Sequence, residues 1–283
     1  MMNSHTSIAL LATPGIFYFD RVKIRANHAD IDLHNIARAR KNEATIRFHR
    51  EFKCNFDLLQ PGEGELRALE LATRLSRVEV AYVEFALDVL WAEQKDADWL
   101  KRELERSIVI KHLGADTRVY IGEADETTRY FGKLLGQKKL VIYSDRPLRN
   151  VGQEYISRFP FRTHIEFRVR GAPQLTSLGI RTIRDLLNFD HERLFRDLVH
   201  VPCLPSKKKD LGALVRKHSQ RSVEVSDRML TNAANQWLQE AAMESLNAKA
   251  NTDSQWLKRI KRVDLLEWLT WKCDAQVRSR NRL

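Results

Sequence analysis

The 283-residue chain reads as an α+β protein: a mainly antiparallel sheet with helices packed on one face, followed by a helical, basic C-terminal region. Three observations predict this. Strand-type runs with period-two alternation recur at residues 16–26, 78–90 and 163–171, separated by stretches of helical periodicity. The first elements come in the order strand, strand, helix, strand, which suits an antiparallel sheet better than a doubly wound one. Beyond residue 174 the apolar spacing is mainly helical, so residues 14–173 are taken as the α+β domain and 174–283 as the helical basic region.

The elements follow in order. Residues 1–13 read as a mobile leader, and Pro14-Gly15 opens the strand IFYFDRVKIRA, whose apolar and polar residues alternate after Phe19. Residues 28–40 form a loop or short helix, and 44–57 a strand or bent pair closed by the Pro61-Gly62 turn. A helix over 63–77 presents Leu66, Leu69, Leu71 and Leu75. The strand VEVAYVEFALDVL follows at 78–90, then a helix over 96–113 and strands at 118–122 and 138–143 with a polar segment, 123–136, between them. After a connection at 147–161 comes THIEFRVRG, closed by Gly171-Ala172-Pro173. Short helical pieces at 175–189 and 192–199 lead to a Pro-bearing basic linker, 201–209, and helices at 211–218, 227–246 and 254–271. The last carries Trp256, Ile260, Val263 and Leu266 on one stripe.

Two strands carry unexpected charge. In 78–90 the residues Val78, Val80, Tyr82, Glu84, Ala86, Asp88 and Leu90 share one face, and Ala81, Val83, Phe85, Leu87 and Val89 the other. A carboxylate on such a face costs several kcal/mol unless cations, a metal or donors compensate it. In 163–171 the alternation places His164, Glu166, Arg168 and Arg170 together. Carboxylates and imidazole on adjoining strands suit a hard cation such as Mg²⁺ or Mn²⁺. Glu84 and Asp88 are roughly 13 Å apart on a straight strand, too far to share one ion. The ligand set is therefore expected to be Glu84, Glu166 and His164, with Asp88 behind it or paired with an arginine; structural ion pairing of these carboxylates is the competing explanation.

Composition narrows the partners. Net charge is +11, which favours a polyanion, nucleic acid first. Residues 201–283 hold 16 Lys and Arg against 9 Asp and Glu. Lys207, Lys208, Lys209, Lys258, Arg259, Lys261, Arg262, Arg278 and Arg280 are the candidates for DNA contact, a solvated basic face being the alternative. Three scattered cysteines give no disulfide framework or zinc spacing, which fits a reducing cytoplasm. No membrane span or signal segment is expected, and residues 132–136 lack a phosphate-loop signature.

Read in order, VEVAYVEFALD, VYIG, LVIYSDR and THIEFRVRG resemble the trans-acting replication initiators of rolling-circle plasmids and related phages. In that family an acidic strand precedes a Tyr-x-Gly-Ser strand, an Ile-Tyr-Asp-Lys strand and an Arg-x-Glu-x-x-x-Arg strand. Glu84 and Asp88 fall on the first, Tyr120 and Gly122 on the second, Tyr143 on the third and Glu166 on the fourth, over residues 75–171. Glu123 stands where the family has Ser, and Ser144-Asp145-Arg146 where it has Asp-Lys. The resemblance implies a DNA-nicking and joining enzyme in which a tyrosine attacks a phosphodiester, leaving a 5′-phosphotyrosine and a free 3′-OH. It also implies Mg²⁺ or Mn²⁺, an origin as substrate and a host helicase as a further partner. Tyr120 is the first choice of nucleophile, beside Gly122 and with Arg118 as phosphate clamp, and Tyr143 the second. A catalytically silent nucleic-acid-binding regulator is the alternative, expected if Glu84 and Glu166 are each paired with a basic residue far from both tyrosines.

Overall fold

A computed structural model describes residues 6–10, 13–27, 54–110, 117–121, 127–132, 136–145, 158–202 and 262–280. The fold is α+β and every strand pairing is antiparallel. β1 (Thr6–Leu10), β2 (Thr13–Ala26), β3 (Cys54–Leu59), β4 (Val78–Trp91), β6 (Thr117–Ile121), β7 (Thr127–Phe131), β8 (Lys138–Asp145) and β9 (Phe161–Arg170) form one sheet of order β1-β2-β4-β9-β8-β7-β6, with β3 also pairing β2. A small second sheet joins β5 (Val109–Ile110), β10 (Val199–Pro202) and β11 (Arg262–Asp264).

Helices cover one face of the large sheet. Phe85 and Phe167, opposite one another on β4 and β9, are the centre of that face and are almost wholly buried. Leu66 and Leu69 of α1 (Glu63–Ala72), Leu100 and Leu104 of α2 (Gln94–Ser107), Leu175 of α3 (Ala172–Ser177), Leu186 of α4 (Ile183–Leu187), Phe195 of α5 (His191–Leu198) and Leu269 of α6 (Leu265–Arg280) belong to the same core. Each such side chain contributes about 1.5–3 kcal/mol by burial. The described parts of 174–283 thus share one core with the sheet.

Several expectations are corrected. Part of the supposed leader is strand β1, a hairpin with β2 that matches Thr6 to Phe17 and Leu10 to Thr13 and so satisfies an edge of β2. α1 stops at Ala72, where Thr73 turns its hydroxyl back onto the Leu69 carbonyl, leaving Leu71 and Leu75 66% and 80% exposed. The helix predicted over 96–113 ends at Ser107 and gives way to β5. The polar segment 123–136 contains β7, whose Thr-Thr-Arg-Tyr-Phe sequence is strand-prone without alternating. The 175–189 stretch is broken at Gly179, which has a φ of 84°. Of the helix expected over 254–271, residues 254–261 lie outside the described residues; in the remainder Val263 pairs with Val201 in the small sheet and helix begins at Leu265, where Asp264 accepts a hydrogen bond from the Glu267 N–H as an N-cap. Residues 28–40, 211–218 and 227–246 lie outside the described residues.

Two irregularities shape the opposite face. The β2–β4 register slips between Phe19/Phe85 and Arg21/Glu84, so Asp20 is an extra, bulged residue. A second slip puts Val80 opposite Ile24 while Tyr82 stays opposite Lys23; Val80 therefore joins the apolar core, against the expected alternation.

Candidate metal centre and active site

The face away from the helices carries a continuous polar network built by register. On neighbouring strands His164 stands opposite both Asp88 and Tyr143, Glu166 opposite Ala86, and Arg168 opposite Glu84. Ile16, Tyr18, Ala86, Leu90 and Phe159 form a small apolar cluster on this side, and it helps to seal Asp88, whose exposure is 0%.

Asp88 is the hub of the sealed end. Its Oδ1 lies 2.6 Å from His164 Nδ1, and its Oδ2 accepts hydrogen bonds from Arg162 at 2.9 Å and from the Tyr18 hydroxyl at 3.0 Å. Arg162 also grips Asp145, at 2.6 and 3.2 Å. Burial pushes the Asp88 carboxyl up, but the Arg162 and His164 charges outweigh it and hold it at about 2. Burial pulls the His164 imidazole down, yet Asp88 outweighs it and raises the ring to about 9. With that ring protonated, three cations (Arg162, His164, Arg168) meet five carboxyl groups (Asp20, Glu84, Asp88, Asp145, Glu166).

His164 Nε2 points the other way, 3.3 Å from Glu166 Oε2. Ligand atoms of Asp20, His164 and Glu166 lie within 4.8 Å of one another. Asp20 reaches this position through the bulge and is clamped by Gln60, whose backbone N–H donates to the Asp20 carbonyl at 2.8 Å and whose side-chain amide donates to Oδ1 at 3.0 Å. Gln60 takes a left-handed conformation, φ 46°, to do so. Two carboxylates and an imidazole fit a divalent cation of the Mg²⁺ or Mn²⁺ type, on condition that the cation displaces the proton from His164 Nε2. Asp88 behind the histidine is the carboxylate that fixes ring orientation in many metal sites. Burial pushes the Asp20 carboxyl up. It does the same to Glu166, but hydrogen bonds from His164 and Arg168 prevail and hold that group low.

Glu84 stands apart from this trio. Its Oε1 accepts the Tyr82 hydroxyl and lies 3.6 Å from Arg168 Nε; burial, then the charge of Glu166, raises it to about 7. Arg168 also binds both oxygens of Glu166. The two carboxylates are thus paired with one arginine, while Tyr143 remains close by, its ring centroid 4.4 Å from that of His164.

Tyr143 is mostly buried, which raises its phenol, with Arg162 pulling the other way. The Arg162 guanidinium sits 5.6 Å from its ring. Among the described residues the Tyr143 hydroxyl makes no hydrogen bond, whereas those of Tyr18 and Tyr82 are committed to Asp88 and Glu84. Tyr120 and Arg118 are placed by backbone only, in β6, three strands or roughly 14 Å from β9. Tyr120 pairs with Thr128, and the register continued one residue puts Thr128 beside Tyr143.

Of the basic candidates, Lys207, Lys208, Lys209, Lys258, Arg259 and Lys261 lie outside the described residues. The Arg262 backbone pairs with Pro202, Arg280 ends α6, and Arg278 is exposed with Asp274 3.5 Å away. The sequence reading passed over Asp20, Tyr18, Arg162 and Gln60. Asp20 had a legible signal, a carboxylate inside the apolar run IFYFD, of the same kind that marked Glu84 and Asp88.

The fold and the site define a mixed α+β protein with a buried acid–histidine–arginine network on the helix-free face of an antiparallel sheet. No protein-family model and no curated protein matches the chain. Among solved structures it is similar to a rolling circle replication initiator protein from Geobacillus stearothermophilus, at 12% identity and a TM-score of 0.38, over 67% of this chain and 88% of that one. The likeness is distant. Among the described residues no helix is long and apolar enough to cross a membrane.

Proposed function

We propose that the chain is a metal-dependent DNA-nicking and joining enzyme of the rolling-circle initiator type, with Tyr143 as nucleophile and Asp20, His164 and Glu166 as ligands of Mg²⁺ or Mn²⁺. The observation that carries this reading is the meeting of two carboxylates and an imidazole within 4.8 Å beside a tyrosine whose ring is packed at a tilt against that imidazole and whose hydroxyl is uncommitted among the described residues. A divalent cation bound there would take up charge on the phosphate as its ester bond breaks. Asp88 keeps His164 Nε2 turned towards Asp20 and Glu166, and Arg162 keeps a positive charge beside the phenol as it loses its proton. The Tyr143 oxygen bonds to phosphorus, the 3′ oxygen leaves as a hydroxyl, and joining is the reverse step. The substrate is a plasmid or phage origin in the cytoplasm. The basic C-terminal region, Lys207 to Lys209 and Lys258 to Arg262 with Arg278 and Arg280, serves for origin recognition or contact with a host helicase.

Supercoiled DNA carrying the origin, incubated with Mg²⁺ or Mn²⁺, should yield relaxed product and a covalent protein–DNA adduct. Tyr143→Phe should abolish both while DNA binding persists. If Tyr120→Phe is dead and Tyr143→Phe cuts, the nucleophile lies on β6; absence of cleavage on every supercoiled or single-stranded substrate removes the enzyme. A second reading, a silent nucleic-acid-binding regulator, is favoured by the pairing of Glu84 and Glu166 with Arg168, and that last outcome would leave it standing.

A further inference from the structure

The same sheet face continues past Glu166 into a trough with a different character. Two adjacent cross-strand rows make its floor. One runs Lys139, Arg168, Glu84, Arg21 and the next Arg170, Tyr82, Lys23, Asp57. Together with Arg25, these rows place six cations around a cavity of about 570 Å³, and Asp57 is the one carboxylate among its lining residues. Arg21 and Lys23 share Asp57 at 2.7 and 3.0 Å, and Arg25 has Glu79 at 3.1 Å. Among the described residues Arg170 has no carboxylate partner. Lys139 and Arg168 are directly opposite like charges, an arrangement that costs stability in a sheet.

Like charges held side by side around a concave surface favour a polyanion. The aromatic lining favours a nucleic acid strand over an acidic peptide: Tyr82 and Phe56 line the cavity, and Lys23 Nζ lies 5.7 Å over the Tyr82 ring. Cationic grooves floored by aromatic rings and guanidinium planes bind strands by phosphate contact and stacking. The cavity is too small for a duplex, whose major groove alone is about 12 Å wide. Arg168 joins the two regions, one end in the trough and the other on Glu166.

We infer that this trough binds the backbone of single-stranded DNA and leads it to the Asp20–His164–Glu166 cluster. The inference rests on the nicking reading for the purpose of the strand, and its test is independent of cleavage. A fluorescent oligonucleotide of about 20 nucleotides is titrated with the full chain in EDTA, across about 0.05–0.3 M salt. Against wild type, Lys23→Gln/Arg25→Gln/Lys139→Gln/Arg170→Gln should bind roughly 10- to 100-fold more weakly at the lower salt. Its log–log salt slope should be shallower by roughly 0.7 per lost phosphate contact. Arg170→Gln alone breaks no ion pair among the described residues and should lose about one such increment, which guards against misfolding of the quadruple variant. Unchanged affinity and slope in both variants would overturn the inference. So would equal loss on a blunt duplex, or displacement of the oligonucleotide by polyglutamate at matched charge. Trough-dependent binding without cleavage in Mg²⁺ or Mn²⁺ would uphold the trough and sink the nicking reading.

Discussion

The buried His164–Asp88 pair ties the stability of the fold to pH. The imidazole is raised from 6.5 to about 9, and each unit is worth about 1.4 kcal/mol of differential stabilisation. The pair therefore contributes on the order of 3 kcal/mol. Because the folded state holds the proton more tightly, this contribution is fully present below pH 6.5 and is lost as pH rises through about 9. Most of the loss falls above neutrality. Urea unfolding in EDTA at neutral pH and at the alkaline end should show wild type losing roughly 2–3 kcal/mol. Glu84, raised to about 7, loses stability in the same direction from pH 4.5 upwards, so the control is His164→Asn, which keeps the Glu84 slope and should lack the alkaline one. An equal alkaline loss in the variant, or none in wild type, refutes the assignment of a charged His164.

Three further outcomes are expected. On the proposed metal site, Glu166→Gln keeps the shape but removes a charge from the Asp20–His164–Glu166 cluster, so Mn²⁺ affinity measured by calorimetry should fall, and nicking should recover in part at high Mn²⁺. Gln60→Ala frees Asp20 from its side-chain clamp and leaves an alanine at a φ of 46°; metal affinity should drop about 10- to 100-fold with a stability cost of roughly 1–2 kcal/mol, read by calorimetry and urea unfolding. Phe85→Ala, in the centre of the apolar face, should cost about 3–5 kcal/mol in urea unfolding.

The strands bearing the site were legible because carboxylates and histidine stood out against strict apolar alternation in 78–90 and 163–171. The antiparallel class followed from the order of the first elements, whereas the adjacency of these two strands rested only on their matching polar faces. The Asp20–His164–Glu166 cluster was less legible, since a bulge is a relation between two strands: nothing local to Asp20 says that Phe19 and Arg21 will pair with consecutive residues of β4. Arg162 was missed because its partners, Asp88 and Asp145, lie 74 and 17 residues away. The C-terminal stripe misled for the opposite reason. Val263 and Leu266 stand at helical spacing, but the Asp264 cap and the pairing of Val263 with Val201 put a strand before the helix at this point.

The bulge at Asp20 also separates what the sheet needs from what the site needs. Every other member of the cluster occupies a position in the ladder that pairing demands, while Asp20 is surplus to it. Removing that single residue would leave Phe19 and Arg21 opposite Phe85 and Glu84 as neighbours in the chain, an ordinary antiparallel ladder in which each keeps the face it already has. The insertion therefore adds a carboxylate to the cluster without changing the phase of the strand, with Phe17 and Phe19 in the core and Arg21 and Lys23 in the trough on either side of it. Loss of the residue would leave core and trough in place and take one carboxylate out of the cluster, so at this point the fold and the cluster are specified by different letters of sequence.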